Sequence, residues 1–155
     1  MSYKFVEYFN NDDKQSLCKM VLSDLPLWFG IPESNDEYCE KVQNYRMIGI
    51  LNDNKEVGFI SIKENSNKVN ELYVLGLVKS QHRKGIGTRV LKYIENDLIN
   101  RGVEYLEVKT LDESRESEEY KYTRLFYEKN GFIKLDVLFN EWGEGNPCLI
   151  MIKKL

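Results

Sequence analysis

The sequence predicts a layered α/β fold built on a sheet of mixed strand direction, and three features predict it. Two polar turns, Asn52-Asp53-Asn54-Lys55 and one around Asn65–Asn67, divide the middle of the chain into three short apolar runs, the pattern of an antiparallel meander. Two amphipathic helical stretches follow, each closed by a glycine (Gly102 and Gly131), and each leads into a strand-like run. Helix–strand alternation after a meander gives a sheet with both parallel and antiparallel pairs.

In chain order, residues 3–9 read as a first strand. Asp12 or Asp13 is expected to cap a helix whose stripe carries Leu17, Met20, Val21 and Leu25, ending before Pro26. An aromatic segment, Leu27-Trp28-Phe29-Gly30-Ile31-Pro32, leads to a short helix from Ser34 to about Asn44. The meander then occupies Arg46–Leu51, Val57–Lys63 and Asn70–Val78. The next helix begins at Gly85-Ile86-Gly87, with Val90, Leu91, Ile94, Leu98 and Ile99 on one face. Val103–Leu111 alternates as a strand, with Leu106, Val108 and Thr110 on the face opposite Tyr105 and Glu107. A helix from about Glu119 to Asn130 and two strands, about 132–139 and 147–153, complete the order β-α-α-β-β-β-α-β-α-β-β, about seven strands and four helices.

At 155 residues the chain fits one domain spanning 1–155. A domain of that length buries roughly 68–70% of its unfolded surface, so neither disulfide nor metal is needed to hold it. Net charge of −3 argues against a general nucleic-acid binder. Cys18, Cys39 and Cys148 lack C-x-x-C spacing and read as buried apolar residues; with His82 the only histidine, no zinc site is expected. The first residues carry no apolar signal core, and no run approaches the ~20 residues of a membrane span. The reading is cytoplasmic, with no membrane partner.

The most informative passage is Leu75-Gly76-Leu77-Val78-Lys79-Ser80-Gln81-His82-Arg83-Lys84-Gly85-Ile86-Gly87-Thr88. Glycines at a helix start let several N–H groups point to one spot, where the helix dipole favours an anion. His82, Arg83 and Lys84 add positive charge, and a phosphate or pyrophosphate fits best. The dinucleotide fingerprint fails because its third glycine position is Val90, and no Gly-Lys-Ser/Thr marks a nucleotide P-loop.

This passage resembles the coenzyme-A signature of the GNAT superfamily of N-acetyltransferases, Gln/Arg-x-x-Gly-x-Gly/Ala after a Leu-x-Val strand. Here Leu75-Gly76-Leu77 forms the strand part and His82-Arg83-Lys84-Gly85-Ile86-Gly87 the loop, with His82 in place of the commoner Gln or Arg. Thr123–Phe132, containing Tyr127 and Gly131-Phe132, resembles the family's later Tyr-x-x-x-Gly-Phe element. Tyr120 stands where the family often has Asn.

The resemblance implies acetyl-CoA as co-substrate, a primary amine of a small molecule or peptide as acceptor, no metal, and homodimers as one form of assembly. It places the pantetheine arm between two parallel strands that part, at about 70–78 and 103–110. Leu77 and Val78 would offer main-chain groups there, and His82, Arg83, Lys84, Gly85, Ile86, Gly87 and Thr88 would hold the pyrophosphate. It makes Tyr127 the general acid toward the leaving thiolate and Glu71, 14 positions before Gly85, the candidate base, with Glu107 as a rival. Trp28, Phe29, Tyr38 and Trp142 are expected around the acceptor. Two other readings use the same residues differently: a non-catalytic acyl-CoA sensor of the same fold, and a Cys148 nucleophile, which would need His82 to leave the phosphate turn.

Overall fold

A computed structural model describes residues 2–155. The strands are β1 (Tyr3–Tyr8), β2 (Arg46–Asn52), β3 (Lys55–Glu64), β4 (Val69–Leu77), β5 (Tyr105–Leu111), β6 (Ile133–Leu138) and β7 (Cys148–Lys154). The helices are α1 (Asn11–Ser23), α2 (Pro32–Lys41), α3 (Ile86–Asn100) and α4 (Glu118–Lys129), with short 3₁₀ turns at Val42–Asn44 and Lys79–Gln81. All seven strands form one sheet in the order β1-β2-β3-β4-β5-β7-β6. Only β4 and β5 pair in parallel. Among the described residues no helix is long and apolar enough to cross a membrane.

Local chemistry sets the helix ends. Asn10, rather than Asp12 or Asp13, caps α1, its side chain accepting from the Asp13 amide at 3.1 Å. Pro32 starts α2 two residues before the expected Ser34, since its fixed φ suits a first helical position. Both later helices end on left-handed glycines, Gly102 (φ 84°) and Gly131 (φ 95°). At Gly131 the Phe132 amide reaches back to the Tyr127 carbonyl (3.0 Å) and the Gly131 amide to Glu128 (3.1 Å). That closure packs the Phe132 ring 5.4 Å from Tyr127.

Each sheet face carries a core. Under α3 and α4 lie Ile60, Ile62, Leu72, Leu106 and Val108, meeting Val90, Leu91, Ile94 and Leu98. Under α1 and α2 lie Met47, Phe59 and Val74, meeting Leu17, Cys18, Val21 and Cys39. Met20 and Ile99 fall outside these cores, 39% and 49% exposed, because each helix buries a narrower stripe than its apolar residues describe.

Between β3 and β4 the register shifts: Ile60 faces Leu75 and Ile62 faces Leu72, so Tyr73 and Val74 both lie opposite Ser61. The buried Ser61 hydroxyl accepts from the Val74 amide (2.9 Å) and donates to the Val74 carbonyl (2.7 Å), replacing the interrupted ladder. A bulge bends its strand, and here the bend coincides with a fork. Parallel pairing with β5 runs from Val69↔Tyr105 to Leu72↔Val108 and stops. Beyond Leu72, β4 stays on β3, while β5 continues along β7 to Leu111.

Candidate active site

The fork opens toward the turn between β4 and α3. There Arg83 (φ 62°) and Gly85 (φ 77°) both adopt left-handed backbone. The first bond into α3 is from the Arg89 amide to the Gly85 carbonyl (3.2 Å). Among the described residues, the six consecutive amides of Arg83 through Thr88 have no hydrogen-bond acceptor. Amides held outward by left-handed residues at a helix start form an anion-binding concavity. Arg83, Lys84, Gly85 and Thr88 are exposed, so the cradle faces solvent. The Arg83 guanidinium lies over the Tyr122 ring of α4, 5.3 Å from its centre.

Beyond their amides, the other turn residues serve packing and positioning. Ile86 is buried in the core beneath α3 and anchors the turn. Gly87 has ordinary helical backbone, and a Cβ on it would stand 3.0 Å from Phe126 on α4. Its lack of a side chain is therefore explained by close packing of α3 against α4. His82 donates from Nε2 to the Leu77 carbonyl (2.7 Å), and the Val78 amide donates to Val57 (2.8 Å).

Tyr127 sits on the inner face of α4 between Phe126 and Phe132, 4% exposed. Its contacts are through the ring, and no hydrogen bond to its hydroxyl shifts its ionisation. Burial pushes its pKa above the usual phenol value, with a smaller contribution from Tyr120, so the phenol keeps its proton.

Glu71 lies opposite Glu107 in the parallel register, just before the fork. Asn65 donates to both carboxylates, at 3.4 Å to Glu71 and 3.0 Å to Glu107. Glu71 is 5% exposed, and burial raises its pKa; Lys109 opposes that rise and Glu107 adds to it. Lys109 also pairs with Glu141 (3.4 Å). The sheet thus gathers two strand carboxylates at the base of the fork. Cys148 is fully buried, and desolvation pushes its thiol up to about 11, which keeps it protonated and poorly nucleophilic.

The segment between α1 and α2 lies against this region. Phe29 packs on Tyr38 (6.1 Å) and Tyr38 on Tyr73 (5.7 Å), the bulge residue at the fork. Trp28 is joined to α4, its Nε1 donating to Thr123 Oγ1 (3.3 Å). The structure therefore brings Trp28, Phe29 and Tyr38 together. Trp142 lies in the β6–β7 turn, where its carbonyl accepts from Asn146 (3.4 Å), next to Glu141, the partner of Lys109; no ring contact joins it to Phe29, Tyr38 or Tyr73 among the described residues. Tyr73, Thr123 and Thr110 were not anticipated. Thr110, on β5 beyond the paired stretch, is buried with its hydroxyl unpartnered among the described residues. Nothing in the local sequence marks these three, because a bulge and a fork are properties of strand pairing.

Comparison with known proteins identifies the family and the fold. The profile of the acetyltransferase (GNAT) domain matches residues 43–134. Among curated protein sequences none matches. A solved structure described as a GNAT-family acetyltransferase from Desulfovibrio desulfuricans aligns with TM-score 0.82 at 18% identity, over 99% of each chain. An aminoglycoside 6'-N-acetyltransferase from Enterococcus faecium aligns with TM-score 0.72 at 25% identity, over 97% of this chain and 96% of that one. The PaiA N-acetyltransferase from Thermoplasma acidophilum, in complex with coenzyme A, aligns with TM-score 0.76 at 21% identity over the whole of both chains. With the profile spanning more than half of its length and the fold shared from end to end, this chain belongs to the GNAT family of acetyltransferases.

Proposed function

We propose that residues 1–155 act as one N-acetyltransferase domain that moves an acetyl group from acetyl-CoA to a primary amine by direct attack. The observation that carries this reading is the run of six partnerless amides, Arg83 to Thr88, beside the β4–β5 fork. A diphosphate fits those donors, and the bare edge of β4 beyond Leu72 fits an extended, amide-bearing arm added as a strand would be. Acetyl-CoA supplies an activated thioester carbonyl and a thiolate leaving group.

The chain's residues supply proton handling and placement. Tyr127 holds a proton on Oη in a buried site and donates it toward the leaving sulfur. Glu71 accepts a proton from the acceptor ammonium, whose pKa of about 10.4 leaves it protonated at neutral pH. The raised pKa of Glu71 improves it as a base relative to an exposed glutamate. Trp28, Phe29 and Tyr38 present rings to the apolar body of the acceptor.

The test is calorimetric titration with coenzyme A, followed by thiol-release assays with a panel of amines. Binding with amine-dependent release of thiol is expected. Binding without turnover on any amine would favour an acyl-CoA sensor, and absence of binding would end the proposal.

A further inference from the structure

We propose that Trp28 is a positioning residue that joins acceptor recognition to the coenzyme turn, an inference that rests on the acetyltransfer reading above. Three contacts from two separate elements, α4 and the β4–α3 turn, converge on this one side chain and its carbonyl. Tyr120 of α4 donates from Oη to the Trp28 carbonyl (2.7 Å). Trp28 Nε1 donates to Thr123, one helical turn further along α4 (3.3 Å). The His82 ring meets the indole edge to face at 5.5 Å, and its Nε2 is held by the Leu77 carbonyl at the end of β4 (2.7 Å). Two of these partners, His82 and Tyr120, are the positions where the chain departs from the family's signature residues.

The neighbouring residue has a different set of partners. Phe29 packs on Tyr38, and Tyr38 on Tyr73 at the fork. The segment is also stiff within itself: both the Trp28 and Phe29 amides donate to the Leu25 carbonyl (3.1 and 2.9 Å), and Asn35 donates to the Phe29 carbonyl (2.8 Å). A rigid segment tied at residue 28 to α4 and the phosphate turn, and at residue 29 to the fork, spans the gap between the coenzyme and acceptor sides. Movement of His82 when the turn closes on a diphosphate is therefore transmitted to the acceptor wall. Tyr120 is a dependable donor, because burial raises its pKa to about 12 and keeps the phenol protonated.

Two measurements test this. Tyr120→Phe and Thr123→Val each delete one hydrogen bond to Trp28 and keep the bulk. Acceptor KM is measured for the best of 2-phenylethylamine, spermidine, kanamycin and a lysine-containing peptide, together with the acetyl-CoA dissociation constant. Acceptor KM should rise roughly three- to tenfold in each variant while acetyl-CoA affinity stays within twofold. Second, Trp142→Phe leaves Trp28 as the one indole, and its emission should change on titration with coenzyme A. At coenzyme A concentrations that saturate each protein by calorimetry, His82→Gln should remove that response. Unchanged acceptor KM in both hydrogen-bond variants, or an indole emission indifferent to bound coenzyme, overturns the inference while leaving acetyl transfer intact. A parent protein that fails to bind coenzyme A overturns both; one that binds but acetylates none of the amines overturns the enzymatic reading, and the fluorescence titration then decides the link to Trp28.

Discussion

Gly85 offers a sharp test of the coenzyme cradle, because its backbone is strained for any other residue while its surroundings are empty. Its φ is 77° and ψ is 8°, and a Cβ built on it meets nothing within 4 Å. Gly85→Ala therefore carries a conformational cost of about 1–2 kcal/mol and no packing cost. In a chain of this size that corresponds to a fall in Tm of about 2–8 °C if the turn keeps its shape. If the turn instead relaxes to negative φ in the free protein, the same cost appears as weaker coenzyme binding, about 5–30-fold. Urea denaturation with saturating coenzyme A captures both cases, since the bound form needs the left-handed turn: its stability should fall by about 1–2 kcal/mol either way. Gly85→Asn should lose less, as asparagine tolerates this region better. A coenzyme-bound Gly85→Ala protein as stable as the parent, or an asparagine variant as impaired as the alanine one, would refute the reasoning.

Tyr127→Phe should leave stability nearly unchanged, since the ring contacts with Phe126 and Phe132 are kept, yet lower kcat by about 10²-fold, the lower range for loss of a positioned acid; steady-state kinetics beside thermal melts separate the two. Glu71→Gln should abolish the acidic limb of kcat/KM, and that limb in the parent should lie above the ordinary glutamate value. Because the folded-state pKa of Glu71 is raised, its charged form destabilises the fold as pH rises; the variant should melt higher than the parent at alkaline pH, with the difference vanishing in acid. Arg46 joins β1, β2 and α3 through Glu7 (2.9 and 3.0 Å) and Asp97 (2.9 Å). The hydrogen bond to Arg46 depresses Glu7, and at Asp97 it helps outweigh the opposing effect of burial, so the stabilisation is present above the ordinary carboxylate range and lost as pH falls through the lowered values. Arg46→Met should cost about 1–3 kcal/mol at neutral pH and flatten the loss of Tm below about pH 4.

The order of all eleven main elements, the glycine helix ends and the exposed turn at 82–88 were legible in the chain, because each is set by residues within a few positions of one another. Periodicity, turn chemistry and left-handed glycines act locally, and local causes can be read locally. The same locality explains the small errors. Asn10 and Asp12 are comparable caps until the backbone at Asn10 is seen to be extended (φ −77°, ψ 127°), and Ile99 lies on the apolar stripe of α3 but beyond the width that the sheet covers. What only tertiary structure decided is the fork and the residues drawn to it. The Ser61 hydroxyl replaces ladder bonds across a register shift between strands 13 residues apart (Ser61 to Val74), and parallel pairing with β5 ends beside it. Gly87 keeps its amide in the cradle yet owes its missing side chain to Phe126, and Trp28 acquires its partners from 54 to 95 residues away. Those contacts depend on which strands pair and which helix crosses which face, and a chain held together at such separations does not display them until it has folded.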